Sequence, residues 1–265
     1  MTVPSNYQPP MISTANDLTK SARRSITFIL ASCAVMFVLL QGGLTWLNGK
    51  VDSTWAAIGV TAVVLIIAFL CQHQLSQGTI SQSALALGYG RSKPQAILVA
   101  FIITSLMLAF FPLFSLVTGI PISLKSDWLW VLLGIVILNG FGEETLFRGY
   151  VFGNLRKVGF SFNRAGFISM VIFAAVHLFL FLQNPFIIGM LGILIAIAAA
   201  FPMAYLFERG GNTIWAAVIV HVGTHLIRLV DMPEASYMTA VTVWLVLQLG
   251  LPFLILAFRN NLLRA

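Results

Sequence analysis

Apolar runs long enough to cross a bilayer recur along this 265-residue chain, at 26–47, 55–71, 95–117, 128–147, 165–182, 186–207, 213–230 and 237–258. A hydrocarbon core takes about 20 apolar residues per helix, with roughly 17 tolerated. The spacing predicts an all-α, polytopic helical membrane protein with about eight transmembrane helices. Composition agrees: charged residues make up 9% of the chain and hydrophobic ones 59%, with a mean hydropathy of +0.94, whereas soluble domains carry about 25% charged residues. Fifteen basic and eight acidic side chains cannot build a water-exposed surface of normal polarity, so lipid must cover most of the outside. A soluble globular domain, a disordered chain, a coiled coil and a secreted disulfide scaffold are excluded together. Cys33 and Cys71 both sit inside apolar runs and read as small hydrophobes, not as a disulfide or a metal pair.

A net charge of +7 would point to nucleic acid in a soluble protein, but the positions of the charges explain it differently. Alternating the connecting segments across the membrane puts Lys20, Arg23, Arg24, Arg91, Lys93, Arg148, Arg156, Lys157, Arg164, Arg209, Arg259 and Arg264 on one side and Lys50, Lys125 and Arg228 on the other. By the positive-inside rule both termini are cytoplasmic. The expectation is a multi-pass protein of the plasma (inner) membrane with the lipid bilayer as its surroundings and no nucleic-acid partner. Residues 1–25 read as a polar cytoplasmic tail and 26–265 as one helical membrane domain, opened by a retained signal anchor at 26–47. The connection 72–93 is long enough for a short interfacial helix, 183–185 reads as a tight turn, and Trp128 and Trp130 read as interfacial anchors. Pro112, Pro202 and Pro252 are expected to kink their spans.

Ionisable residues inside spans are costly and functional by default. The fourth span ends Asn139-Gly-Phe-Gly-Glu143-Glu144-Thr-Leu-Phe-Arg148, the fifth carries Phe173-Ala-Ala-Val-His177, and the seventh carries His221-Val-Gly-Thr-His225. At about 100° per residue, Arg148 lies one turn above Glu144 and can pair with it, while Glu143 points elsewhere and shares a stripe with Asn139. One carboxylate is then held as an ion pair and the other is free for chemistry. His221 and His225 are i and i+4 on one face, and Gly140, Gly142 and Gly149 let neighbouring helices approach closely. Depth counting puts all these groups in a cavity in the cytoplasmic half or near the middle of the membrane. A carboxylate and an imidazole converging on a water can deprotonate it for attack on a carbonyl, and further histidines can donate to the oxyanion. The same donors would suit a catalytic zinc with an open position, and spacing alone does not separate the two.

The three motifs, in this order on successive membrane helices, resemble the CPBP family of CAAX-processing and bacteriocin-processing intramembrane proteases, over a catalytic core at about 128–230. The resemblance implies an intramembrane endopeptidase in which Glu143 activates water together with His177, Glu144 and Arg148 order the site, Phe173 packs beside it, and His221 with His225 stabilises the oxyanion. His225 departs from the commoner pattern, which has Asn there; an imidazole can supply the same donor but also favours metal binding. A divalent metal such as zinc would be held by Glu143, His177 and His221; the reading favours a metal-free mechanism. Asn212, ahead of the third motif, reads as the N-cap of its helix. The implied partner is a peptide or protein substrate reaching the site from the cytoplasm or laterally from the membrane, with oligomeric state left open. Rival readings are a proton-coupled transporter with the Glu and His residues as a relay, and a non-catalytic immunity or scaffold protein. Taken singly, the residues also have bland readings: an interfacial Glu144/Arg148 pair, a His177 satisfied by a carbonyl, and a structural His221/His225 contact.

Overall fold

In a computed structural model describing residues 15–258, the apolar runs fold as helices. The chain begins with α1 (Ala15–Leu47) and α2 (Ser53–Ser76), joined by a short turn in which the Asp52 carboxylate accepts from the backbone N–H of Thr54 at 2.9 Å and of Trp55 at 3.2 Å and so caps α2. The connection that follows holds α3 (Ile80–Ala86), closed at its start by a reciprocal Thr79/Gln82 capping box. Next come α4 (Pro94–Leu108) and α5 (Phe110–Thr118), which break at Ala109, where Pro112 cannot donate to the turn before it. The fourth span starts as α6 (Trp128–Ile135), widens into two stretches of π-helix, Val136–Glu143 and Thr145–Phe152, and ends as α7 (Gly153–Lys157). Then α8 (Phe162–Val176) stops at His177 in a tighter 3-10 turn and resumes as α9 (Leu180–Gln183). The remaining helices are α10 (Phe186–Arg209), α11 (Trp215–Thr224), α12 (Glu234–Gly250) and α13 (Leu254–Ala257), the last two separated by a 3-10 turn at Pro252.

Seven helical segments among the described residues are long and apolar enough to cross a membrane, and the molecule is a polytopic membrane protein. The run at 213–230 differs from the spanning helix expected there, the seventh of the eight. Its α-helix is ten residues long, about 15 Å at 1.5 Å per residue, and passes into a 3-10 turn at Leu226–Leu229. Ala216, Ala217, Val218, Val220, His221 and Gly223 of α11 are buried, and a helix enclosed by protein need not match the bilayer thickness. Asn212 does not cap it. The residue lies in the left-handed region at φ +57, the turn after Gly210 and Gly211 that Asn tolerates, and the capping position falls on Ile214. The helix α10 runs on through Pro202 without a break. A two-stranded antiparallel ladder, β1 (Ser123–Leu124) against β2 (Val230–Asp231), pairs Ser123 with Asp231 and Leu124 with Val230 and ties two loops together at one end.

Two apolar cores flank the widened fourth span. One joins α4, α10, α11 and α12 around Trp244, Met107 and Ile103; the other joins α1, α2, the π-helical stretch and α8 around Met36, Tyr150, Phe147 and Phe152. The ends of the bundle differ in charge. At one end Arg156 donates to the Glu208 carboxylate at 2.7 Å, Lys157 reaches the Ala86 carbonyl and the Lys93 backbone bonds Gly210. Arg23, Arg24, Arg91, Arg164 and Arg209 belong to the same end by the order of the helices. At the other end stand Lys50 over the Trp46 ring, Lys125 bonded through its backbone to Leu229, and the Trp130 indole donating to Asp52 at 2.9 Å. Arg148 belongs to neither end. Its side chain is 3% exposed, a buried partner and not a loop cation as the charge sorting had it. Arg259, Arg264 and most of the 1–25 tail lie outside the described residues.

Candidate active site

Glu143 and Glu144 sit where the two π-helical stretches meet. An i→i+5 spiral is rare and recurs at functional sites; here it lies against two neighbours at close range. A Cβ on Gly140 would come within 3.0 Å of Val222 on α11, and one on Gly142 within 3.0 Å of Thr61 on α2. The bare backbone is what lets α11 and α2 press on opposite sides of the carboxylate pair.

Glu144 is fully buried, and its Oε1 accepts from Arg148 Nη1 at 2.9 Å and from His221 Nδ1 at 2.5 Å. An ionised carboxylate only accepts, so Nδ1 of His221 carries a proton and Nε2 faces away. That Nε2 lies 3.8 Å from Glu143 Oε2. The other oxygen of Glu143 accepts from Asn139 Nδ2 at 2.7 Å, whose Oδ1 in turn accepts from Arg228 Nη1 at 3.4 Å. Oε2 of Glu143 and of Glu144 have no hydrogen-bond partner. His177, at the break after α8, donates from Nδ1 to the Phe173 carbonyl at 2.7 Å, which leaves its Nε2 as an acceptor. Phe173 packs edge-on against His177 at 4.6 Å and His221 at 6.0 Å, and the Arg148 guanidinium lies 4.6 Å over its ring. The His225 ring stacks on His221 at 5.4 Å, at the residue where α11 ends.

The structure therefore brings Glu143, Glu144, Arg148, His177, His221 and His225 to one place, with Asn139 and Phe173 among them. Glu143, Arg148 and the three histidines line a cavity of about 410 Å³. Glu144 stands behind this wall, bonded to two of the lining residues. The candidate metal donors Glu143, His177 and His221 are not gathered for an ion: among the described residues no group of three or more His, Cys, Asp or Glu is arranged to hold one.

The cavity runs from the middle of the bundle, where Met203 and Pro252 line it, toward the end opposite to the cation-rich one. It is walled by Phe37, Leu40 and Leu44 near the end of α1, by Leu180, Asn184 and Ile188 around the 183–185 turn, and by Arg228. Leu44, Gln41, Leu138 and Arg228 also line a second cavity of about 230 Å³, which reaches Asn48 and Val51 in the turn before α2 and Ser53 at its start. The sequence reading put the site's cavity in the cytoplasmic half or at the middle; the structure extends it from the middle toward the cation-poor end. Arg228 was missed as a site residue because it reads as a loop cation, although it lies seven residues after His221. Thr224, whose hydroxyl bonds the His221 carbonyl at 2.7 Å, and Gln248 on the cavity wall were missed too.

Residues 125–227, less than half of the chain, match the family described as type II CAAX prenyl endopeptidase Rce1-like. The matched segment holds all six candidate residues and stops before Arg228 and Gln248. No curated protein and no solved structure matches the chain.

Proposed function

We propose that the protein is an intramembrane endopeptidase of the CAAX-processing type, in which Glu143 and His177 activate a water for attack on a peptide carbonyl. The observation that carries this reading is the division of labour between adjacent carboxylates. Glu144 is held behind the cavity wall by Arg148 and His221, whereas Glu143 lines the cavity that also holds His177, and its Oε2 accepts no hydrogen bond, with His221 Nε2 3.8 Å away. A proton leaves the water for Glu143, with His177 Nε2 as the second acceptor, and the hydroxide adds to the scissile carbonyl carbon. The oxyanion that forms takes hydrogen bonds from His221 Nε2 in its imidazolium form, held in orientation by Glu144, and from His225. Collapse of the tetrahedral adduct breaks the C–N bond, and Glu143 returns its proton to the departing amine; the carboxylic acid formed then gives up its proton to the amine, so the products leave as carboxylate and ammonium. General acid–base catalysis contributes about 10²–10⁴-fold, and each oxyanion donor about 10²–10³-fold. No step passes through a metal.

The substrate is a peptide or membrane-associated protein segment; the type named by the matched family acts on prenylated chain ends. The test compares protein termini in membranes from cells making the wild-type chain and cells making Glu143→Ala at equal abundance. Termini present only with the wild type are expected, and they name the substrate class. Identical sets of termini overturn the reading in favour of a transporter or a binding protein, and flux measurements then separate those two.

A further inference from the structure

One polar group on the cavity wall takes no part in the chemistry above. Gln248 in α12 is 1% exposed, lines the cavity, and has neither its Nε2 donor nor its Oε1 acceptor satisfied. Among the described residues no other buried side chain on the cavity wall leaves both a donor and an acceptor open. Such a group is costly away from water and asks for a ligand. Its position is tied to the candidate active site. Trp244, four residues earlier and so on the same face of α12, donates from its indole to the Thr224 carbonyl at 3.0 Å, and the Thr224 hydroxyl bonds the His221 carbonyl. The face of α12 that carries Gln248 is therefore pinned to the helix that carries His221.

We propose that Gln248 is a substrate-binding residue that grips the backbone of an extended peptide in the cavity. In an extended chain the N–H and C=O of one residue point to the same side, which is how facing strands exchange two hydrogen bonds. A primary amide presents one donor and one acceptor side by side and can make the same exchange. The grip is independent of side-chain identity, and it holds the peptide as a strand across the cavity with its scissile carbonyl toward Glu143. This assignment rests on the peptidase reading for its purpose, but the binding itself can be measured apart from cleavage.

The test uses the full chain in lipid nanodiscs, in a Glu143→Ala background so that bound peptide is not consumed. The probe is a dye-labelled heptapeptide of Ala and Leu, together with a set of versions N-methylated at one backbone position each. Gln248→Leu is expected to weaken binding of the parent heptapeptide tenfold or more while the thermal unfolding midpoint stays level or rises, since the variant removes an unpaired amide. One N-methyl position is expected to weaken binding in the Gln248 protein and to have no effect after Gln248→Leu. Equal affinities in the two proteins, the same N-methyl penalties in both, or no binding of the parent peptide to the Gln248 protein would each overturn the proposal. Gln248-dependent binding without any cleavage by the wild type overturns the peptidase reading alone.

Discussion

Glu143 and Glu144 are adjacent in the chain, yet their surroundings set them different tasks. Glu144 neutralises a buried guanidinium and orients His221, so its loss leaves Arg148 uncompensated in the interior. Removing one partner of a buried ion pair costs about 3–5 kcal/mol. Glu144→Gln is therefore expected to lower the unfolding midpoint in detergent and abolish cleavage, whereas Glu143→Gln abolishes cleavage with the midpoint nearly unchanged. Equal midpoints for the two variants would sink the assignment of a structural share to Glu144. Among the described residues the His225 side chain forms no hydrogen bond and stacks on the His221 ring, and Asn is the commoner residue in the resembling family. His225→Asn is accordingly expected to keep cleavage within about tenfold, the range of a single redirected hydrogen bond; a loss of a thousandfold would show that the imidazole itself is required. At this scale the six candidate residues were legible because ionisable groups are so rare in these spans. What was not legible was pairing across helices: nothing in the spacing tells that His221 reaches Glu144 before Glu143, or that Arg228 folds back to Asn139.

The elements show where hydropathy stops being informative. Apolar length located every long helix, and the polar 72–93 connection announced α3. It could not announce that the fourth span would open into π-helix, because i→i+5 pairing leaves no mark on hydropathy and arises from packing. Nor could it show that 213–230 forms only a short α-helix, since a helix wrapped in protein is as apolar as one wrapped in lipid. The tightest contact of the widened span is at Gly149, where a Cβ would run into the Leu87 carbonyl oxygen and backbone. Backbone cannot swing aside as a side chain can. Gly149→Ala is expected to push the 77–93 connection off the span and cost about 1–3 kcal/mol, the range for overpacking, seen as a lower unfolding midpoint. Gly59→Ala in α2 is the control: a Cβ there meets nothing within 4 Å, and the change is expected to be neutral or slightly stabilising through helix propensity. Equal midpoints for the two substitutions would mean that the close approach at Gly149 is not what seats the connection.

For the molecule as a whole, the question is from which end a peptide can reach Glu143. On the cation-rich side of the carboxylates the path is packed shut. Thr145, Leu146, Phe147, Tyr150, Val151 and Phe152 are all buried, and the 77–93 connection is bolted over them. Ile214 N–H donates to Gly88, the Trp215 indole to Gly90 at 2.7 Å, and the Tyr89 hydroxyl meets Thr145 at 2.7 Å. On the other side the cavity runs past Leu44 and Arg228 toward the turn before α2. With the cation-rich end taken as cytoplasmic by the positive-inside rule, substrate is expected to enter from the far side or sideways from lipid, the lateral route being one of the two, cytoplasmic or lateral, that the sequence reading left open. Single cysteines in a Cys33→Ala, Cys71→Ala background decide the matter, with a membrane-impermeant maleimide added to intact cells and then to opened membranes. Lys125→Cys and Arg91→Cys report the two ends of the bundle. Leu44→Cys is expected to react under the same condition as Lys125→Cys, and Thr145→Cys to resist labelling from both sides. If Leu44→Cys instead follows Arg91→Cys, or Thr145→Cys reacts from the Arg91 side, the 77–93 connection is a gate that opens and substrate arrives from the cation-rich face.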